Sequence, residues 1–309
     1  MKARNILILA ICLVMPVHEA FTQDQQAVID SLVNLLKSAG REWNDYAKPL
    51  IEIGDAAVPD LIEVAEDKSL SQWNRRITVM TLNDIHSNLW KEPALKMLFD
   101  RNEDPGLRNH TTAGLKGFDL GDVKDELWKV YEEVENGNYK LNIANLLMTA
   151  DTSMAYQSCY EIYNNYDGYL QKSALLNLVQ LRPHESTAWF LNGIQIDDWM
   201  TANMAMDSLV NTRYFATNEL LSLYHMPEVR EEVQWRIVFI FSHRNVPESV
   251  PLLLEAFRDE SWLVHTEAAA GLCRFNPEKM LPEMKALKND PRAYVRNNSQ
   301  WVIKRMKKK

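Results

Sequence analysis

One phrase recurs three times in this chain of 309 residues, each time with the same internal spacing. It reads Val58-Pro59-Asp60-Leu61 with Asp67, Val250-Pro251-Leu252-Leu253 with Asp259, and Leu281-Pro282-Glu283-Met284 with Asp290. Each copy has an apolar residue before the proline, a second two positions after it (Leu61, Leu253, Met284) and a third five after it (Val64, Ala256, Leu287). The Asp stands at plus eight. Pro251 and Pro282 are 31 residues apart, and Pro59 and Pro251 are 192 apart, close to six such periods. A period of about 20–50 residues is the signature of a stacked repeat array. In such an array each unit touches only its neighbours, and function resides in whatever the surface accepts.

The phrase has a physical basis. Proline early in a helix costs little, because backbone N–H groups there lack intrahelical partners, and it fixes the entry geometry. The apolar residues at plus two and plus five fall on one helical face and are expected to point into the stack. The Asp at plus eight is expected to end the first helix or cap the second. A basic residue or His follows such an Asp at Arg76, Arg108, His265 and Arg296. Small residues on second helices (Ala113, then Ala268 to Gly271) allow close helix approach.

Apolar periodicity is helical nearly throughout, and no segment reads as a strand pair. The spacing predicts helices over Gln25–Ser38 and Trp43–Ile53, then one capped by Asp55 that carries Val58, Leu61, Ile62 and Ala65, with a partner that carries Ile77, Met80, Thr81 and Ile85. Pairs follow at Pro93–Phe99 with Leu107–Phe118, and Val123–Val134 with Tyr139–Met148. Next come Ser153–Tyr163 with Tyr169–Leu181, Ser186–Ile194 with Trp199–Val210, and Arg213–Tyr224 with Val229–Phe241. The last pairs are Val250–Phe257 with Trp262–Phe275, and Pro277–Leu287 with Ala293–Met306. Breaks coincide with Asn136-Gly137-Asn138, Asp167-Gly168, Met226-Pro227 and Asn276-Pro277.

Two stretches, Ile53-Gly54-Asp55-Ala56-Ala57-Val58-Pro59 and Asp290-Pro291-Arg292-Ala293-Tyr294-Val295-Arg296, resemble the HEAT repeat family. The likeness is to its short bacterial variety, also found in phycobilin-lyase-like proteins. It is clear over 55–118 and 246–306 and fades over 120–245, where the prolines and Asp-to-Arg pairs are missing. The resemblance implies an all-α, HEAT/armadillo-like solenoid acting as a scaffold or binding module. The lyase-like relatives imply that a few such arrays act on a ligand.

The N-terminus reads as an export signal: Lys2 and Arg4, an apolar run Ile6–Met15, then Pro16–Ala20. Cys12 follows Ile11 rather than a small residue, so no lipid anchor is expected, and His18 fits the cleavage rule poorly. Residues 1–20 are expected to leave as a signal peptide, with 21–309 a single domain in the periplasm or outside the cell. Their loss would take the formal charge from −8 to −9, since two cations and one anion depart. The run is too short to span a bilayer comfortably, so no integral span is expected in the mature chain. An acidic chain argues against nucleic acid, which rewards a basic face. Cys159 and Cys273 lie more than three repeats apart, beyond the roughly 7 Å that a disulfide spans, so two separate buried thiols are expected.

The divergent middle holds the candidate binding residues. Tyr156, Tyr160 and Tyr163 fall on one helical face, Tyr166 and Tyr169 flank Asp167-Gly168, and Trp189, Phe190 and Trp199 follow. Exposed, these rings suit sugar rings, another small ligand or a peptide; turned inward, they are core packing. The seven His are scattered, with no pair at metal-ligand spacing, and Asn164–Gly168 reads as a turn, because Tyr163 stands where a calcium loop has its first Asp and no Glu closes the far end. No nucleophile elbow, phosphate-binding loop or paired-Cys motif occurs, so neither an enzyme nor a cofactor is expected. Asp197-Asp198 beside Trp199 is the one acidic pair that invites catalysis, and helix capping explains it. The basic end Lys304–Lys309 suits either an anionic surface or partner, or the negative end of a helix dipole.

The chain therefore reads as an exported, right-handed α-solenoid of about eight to nine antiparallel helix pairs. Its expected role is a non-catalytic scaffold or adaptor for another macromolecule, a protein above all. Carbohydrate or small-ligand binding through the middle aromatics is the alternative, so a glycan partner stays open.

Overall fold

The computed structural model describes residues 24–213 and 216–308. The export signal read in residues 1–20 lies outside them. All regular structure among the described residues is helical. The chain divides into two compact units, one ending at Ser158 and the other beginning at Cys159.

The first unit holds α1 (24–37), α2 (Trp43–Ile53), α3 (Val58–Glu66), α4 (Gln72–Ile85), α5 (Lys91–Phe99), α6 (Pro105–Gly114), α7 (Lys124–Glu133) and α8 (Gly137–Ala150). The boundary falls inside α9 (Thr152–Asn165). The second unit continues with α10 (Gly168–Leu181), α11 (Ser186–Gly193), α12 (Trp199–Asn211), α13 (Thr217–Tyr224) and α14 (Glu231–Arg244). It ends with α15 (Val250–Ala256), α16 (Trp262–Leu272), α17 (Pro277–Ala286) and α18 (Ala293–Met306).

In the first unit α3 packs on α4, α5 on α6 and α7 on α8, while α2, α4, α6 and α8 stack in sequence as one row. In the second unit α11, α13, α15 and α17 each pack on the helix that follows, and α10, α12, α14, α16 and α18 form the corresponding row. Each unit is a run of stacked helical hairpins, the α-solenoid arrangement. The phrase residues do what their spacing requires: Leu61, Val64, Leu253, Ala256 and Met284 are fully or almost fully buried, and Leu287 is 6 % exposed.

The two rows begin differently. Among the described residues, five first helices of a hairpin are entered through single 3₁₀ turns, at Gly54–Ala57, Asn88–Trp90, Gly121–Val123, Pro183–Glu185 and Pro247–Ser249, while α17 has a side-chain cap from Asn276. Five of the described second helices have side-chain caps, whereas α10, α14 and α18 have none. Ser71 accepts from Asn74 N at 3.1 Å, Asp104 from Leu107 N at 2.8 Å, Asn136 from Tyr139 N at 3.0 Å and Asp198 from Thr201 N at 2.7 Å. Ser261 accepts from Val264 N at 3.3 Å. Asp55 lies inside a 3₁₀ turn and makes no capping bond, contrary to the sequence expectation.

At Asp67, Asp259 and Asp290 the recurrent Asp stands at or just past the end of the first helix without capping the second, whereas Asp104 does cap α6. The recurrent Asp closes the turn between the two helices by accepting the backbone N–H two residues on. Asp67 accepts from Ser69 at 2.9 Å, Asp100 from Asn102 at 2.9 Å, Asp259 from Ser261 at 2.7 Å and Asp290 from Arg292 at 3.0 Å. Such side-chain turns need a short acceptor, which Asp supplies. At Asp290 the Arg292 side chain adds two bonds of 2.9 Å, and these hold the carboxyl down at about 2.

A second device was half legible. Four residues past the N-cap of a second helix, a donor side chain reaches back to a carbonyl at or just past the end of the preceding helix. Arg75 Nε donates to Ala65 O and Arg108 Nε to Leu98 O, both at 2.8 Å. Arg296 donates to Asp290 O at 2.8 Å, and His265 Nδ1 stands 3.1 Å from Asp259 O. Helix ends leave C=O groups without intrahelical partners, so each bond satisfies a group that the fold would otherwise strand. The device persists where the repeat pattern fades: Lys140 Nζ donates to Tyr131 O and Gln171 Nε2 to Tyr163 O, both at 2.9 Å. The sequence pattern pointed to Arg76, but Arg75 is the residue that turns inward. Lys140→Met, which keeps the apolar stem, is expected to cost about 1–2 kcal/mol, measured by hydrogen exchange of the α7 and α8 amides; unchanged protection would remove the bond from the account.

Some boundaries shift. Pro282 lies inside α17, which starts at Pro277, so the third phrase copy enters its helix later than the first two. The helix expected over Leu107–Phe118 stops at Gly114, and the one expected from Arg213 is described from Thr217. Cys159 and Cys273 are both buried and form no disulfide, as their separation required.

Candidate interaction surface

The middle aromatics divide by environment. Tyr156, half-buried, belongs to the first unit. In the second, Tyr163 is 4 % exposed; its hydroxyl donates to Asn192 Oδ1 at 3.1 Å, and burial pushes it up to about 12. Trp189 meets Tyr163 edge-on at 5.4 Å and Tyr160 edge-on at 6.1 Å between centroids. Tyr160 and Tyr169 are exposed, Tyr166 is half-buried, and Trp199 is 56 % exposed. Tyr160, Tyr163 and Trp189 therefore form one packed cluster between α9 and α11, while Trp199 stands apart from it on α12.

Trp199 begins a ladder of rings. It stacks on Trp235 of α14 at 5.9 Å; Trp235 meets Phe239 at 5.8 Å, and Phe239 stacks on His243 at 3.8 Å. Trp235, Phe239 and His243 recur every four residues, so one face of α14 presents all three. Beside Trp199 lies an open groove of about 510 Å³ lined by Met200, Asn203, Met204 and Asp207 of α12 and Lys172 of α10. Unbranched thioethers next to a stacked indole make an adaptable apolar surface. A second groove of about 380 Å³ lies between Gln195 and Arg230, with Leu223, Met226 and Pro227. Met226 is 56 % exposed. Arg230 pairs with Asp197 and also donates to Gln195 O.

Asp198 is the α12 cap and Asp197 the partner of Arg230, so the acidic pair is structurally occupied. At the end of α14 the fold gathers Ser242, His243, Glu267 and Arg274, none of which the sequence singled out. Ser242 Oγ lies 2.5 Å from Glu267 Oε1, 3.0 Å from His243 Nδ1 and 3.0 Å from Arg274. Ser242 is fully buried, and its hydroxyl is saturated by these neighbours. This is a polar clasp between α14 and α16, with no route for a substrate to the hydroxyl. Asn164 and Asn165 turn their amides back onto Tyr160 O and Glu161 O at 2.8 and 2.9 Å, and Gly168 has φ +56°, so that stretch is a turn. Among the described residues no three His, Cys, Asp or Glu side chains converge as metal ligands, and no helix is long and apolar enough to cross a membrane.

Residues 217–304, covering α13 to α18 almost completely, match the family model described as HEAT repeats. That segment carries HEAT repeats. A chain in the structure of Kap95p with RanGDP is 12 % identical at a TM-score of 0.55; the match covers 99 % of this chain and 49 % of that one. At that identity the likeness shows the fold alone. Human deoxyhypusine hydroxylase in complex with glycerol is 14 % identical over 95 % of this chain and 100 % of its own, at a TM-score of 0.36. A designed armadillo repeat protein is 14 % identical over 89 % of this chain and 98 % of its own, at 0.22. Those two superpose too poorly to bear on this chain. No curated protein matches it in sequence. The ring ladder thus spans the repeats' edge, with Trp235, Phe239 and His243 inside the matched segment and Trp199 before it.

Proposed function

We propose that this protein is a non-catalytic scaffold or adaptor whose second unit binds a protein partner. The observation that carries this is Trp199, 56 % exposed yet stacked on Trp235 beside the Met200–Met204 groove. A large ring held in a fixed orientation at an open groove gives up little conformational freedom on binding, the mark of an interface anchor. The buried, saturated Ser242 clasp and the occupied Asp197-Asp198 pair support a binding role over a catalytic one. The basic and apolar N-terminal pattern supports export to the envelope or beyond, with residues 21–309 acting as a single domain.

Affinity capture from cross-linked cells of the protein's own source tests the scaffold reading. The wild-type chain is expected to retain one dominant protein, and Trp199→Ala with Met200→Ser to lose it at unchanged thermal stability. Capture that ignores both substitutions would overturn the reading. Binding on a glycan array, with no protein captured, would replace it with the carbohydrate alternative. A fusion found wholly in the cytoplasm with an intact N-terminus would remove the proposal of export.

A further inference from the structure

The last helix concentrates positive charge on an acidic protein. From Pro291 to Lys309 there is no Asp or Glu, whereas the whole chain carries a formal charge of −8. Lys304, Arg305, Lys307 and Lys308 are all exposed, and none is engaged in an ion pair among the described residues. The helix dipole accounts for one or two cations in a last turn. It does not account for the groove beside them. Between α16 and α18 lies an open groove of about 400 Å³ lined by Thr266 and Ala269 on one side and Asn297, Asn298 and Trp301 on the other. Trp301 is 44 % exposed at its edge, and the Arg305 guanidinium sits 5.4 Å from the ring centroid. Asn298 Nδ2 faces no hydrogen-bond partner although it is withdrawn from solvent.

Acids on the packed elements leave this charge uncompensated. Glu267 of α16 is held by Ser242 at 2.5 Å and lies 3.8 Å from Arg274. Glu278 and Glu283 belong to α17 and stand outside the groove lining. A depression lined by two amides, a threonine and an indole, with the Arg305 guanidinium over the indole and Lys304 and Lys308 at helical spacing from Trp301, matches an extended acidic segment. Its backbone meets the amides, an apolar side chain meets the ring, and its carboxylates meet the cations. A bilayer surface offers no backbone groups to a concave groove, and an acidic protein is repelled by anionic lipid over most of its surface.

We propose that the α16–α18 groove binds an acidic peptide segment of a partner protein, with Trp301 as the anchor and Lys304, Arg305, Lys307 and Lys308 as the carboxylate rim. This deepens the scaffold reading and rests on it. The test is fluorescence anisotropy with a fluorescein-labelled peptide of Glu and Asp around a central Leu-Phe pair. Its Lys-substituted twin and phosphatidylserine vesicles serve as competitors. The acidic peptide is expected to bind, more weakly as salt rises, and the twin not to bind. Trp301→Ala is expected to weaken binding at least about tenfold, with partial rescue in Trp301→Phe. Lys304→Glu with Lys308→Glu is expected to weaken it about tenfold, chiefly through the association rate. Both variants keep the buried Val302, Ile303 and Met306, so their melting curves should match the wild type. No peptide binding, equal binding of the twin, indifference to Trp301, or displacement by vesicles would each overturn the proposal. A captured partner that is lost with Trp199→Ala but kept by the Trp301 and charge-reversal variants would overturn it while leaving the scaffold reading intact.

Discussion

Arg75→Ala is expected to lower the stability of the first unit by about 3–5 kcal/mol, the cost of stranding one member of a buried ion pair. Arg75 and Glu103 are 4 % and 7 % exposed and meet through two parallel bonds, Nη1 to Oε1 at 2.8 Å and Nη2 to Oε2 at 2.6 Å. The third guanidinium bond, from Nε, goes to Ala65 O at the end of α3. Glu103 in turn accepts from Asp104 N at 2.9 Å, beside the cap of α6. One side chain thus ties the end of α3 to the start of α6 through α4. Truncation leaves a buried carboxylate and an unpaired carbonyl together at the wall of an open groove, with Lys68 Nζ, 3.9 Å from Glu103, left to face it. Hydrogen exchange of the α3 to α6 amides is the suitable measurement, because stacked repeats open locally and a single global unfolding value is ill defined. A loss below about 1 kcal/mol would mean that the pair is in effect solvated.

The same pair sets an acid limit. Hydrogen bonding from Arg75 holds the Glu103 carboxyl below its ordinary value of 4.5 despite its burial. A carboxyl whose folded value is depressed stabilises the fold above its unfolded value, and that stability is lost as pH falls through the folded value. The wild-type first unit is therefore expected to weaken below about pH 4.5 as this contribution disappears. In Arg75→Ala the stranded carboxylate gains from protonation instead, so the gap between variant and wild type should narrow toward acid. A gap independent of pH would assign the loss to packing of the Arg stem and not to charge.

How far the fold could be read in advance depended on where a physical constraint repeats as a residue type. The proline phrase and its buried partners did, because a helix entry and a stack face each demand particular chemistry at fixed spacing. The back-bonding donor did only partly. Its requirement is a long side chain ending in N–H, four residues past a cap, which Arg75, Arg108, Lys140, Gln171, His265 and Arg296 all meet. Because Lys and Gln satisfy the geometry as well as Arg, the bond outlasts the pattern at Lys140 and Gln171, although Ala202 leaves α12 without it. The adjacent Arg75 and Arg76 could not be told apart from spacing alone. The 3₁₀ entries left no signal, since a single tight turn tolerates nearly any sequence.

The surface was less legible. Trp199 was singled out for proximity to Tyr156–Tyr169, yet it stacks on Trp235, which is 36 residues away in sequence. The recurrence Trp235, Phe239, His243 at one helical spacing was a readable sign of a ring face on α14. Nothing in the sequence, however, said that α12 would lie against it. Tyr163 and Trp189 illustrate the opposite case, aromatic residues whose edges pack inward beside Asn192. Exposure is decided by the neighbouring repeat, and periodicity describes only one helix at a time.

Gly271→Ala is expected to destabilise the second unit by about 1–3 kcal/mol, although alanine is the better helix former. A Cβ on Gly271 would stand 2.5 Å from Ser242 Cβ and 3.1 Å from Ser242 Cα, so the obstacle is backbone as well as side chain. Small residues from Ala268 to Gly271 were expected to permit close approach, and here α16 lies against α14 with no room for one methyl. Ser242 has little freedom to retreat, since its hydroxyl is held by Glu267 at 2.5 Å and Arg274 at 3.0 Å. If contact between these two positions is the cause, Ser242→Gly should cost less in the Gly271→Ala background than in the wild type. The two changes would then be non-additive by more than about 0.5 kcal/mol in a double-mutant cycle. Additive losses would instead place the strain elsewhere along the α14–α16 contact. A stabilised Gly271→Ala would mean that the helices slide apart at little cost, and that the Ser242 clasp does not fix their separation.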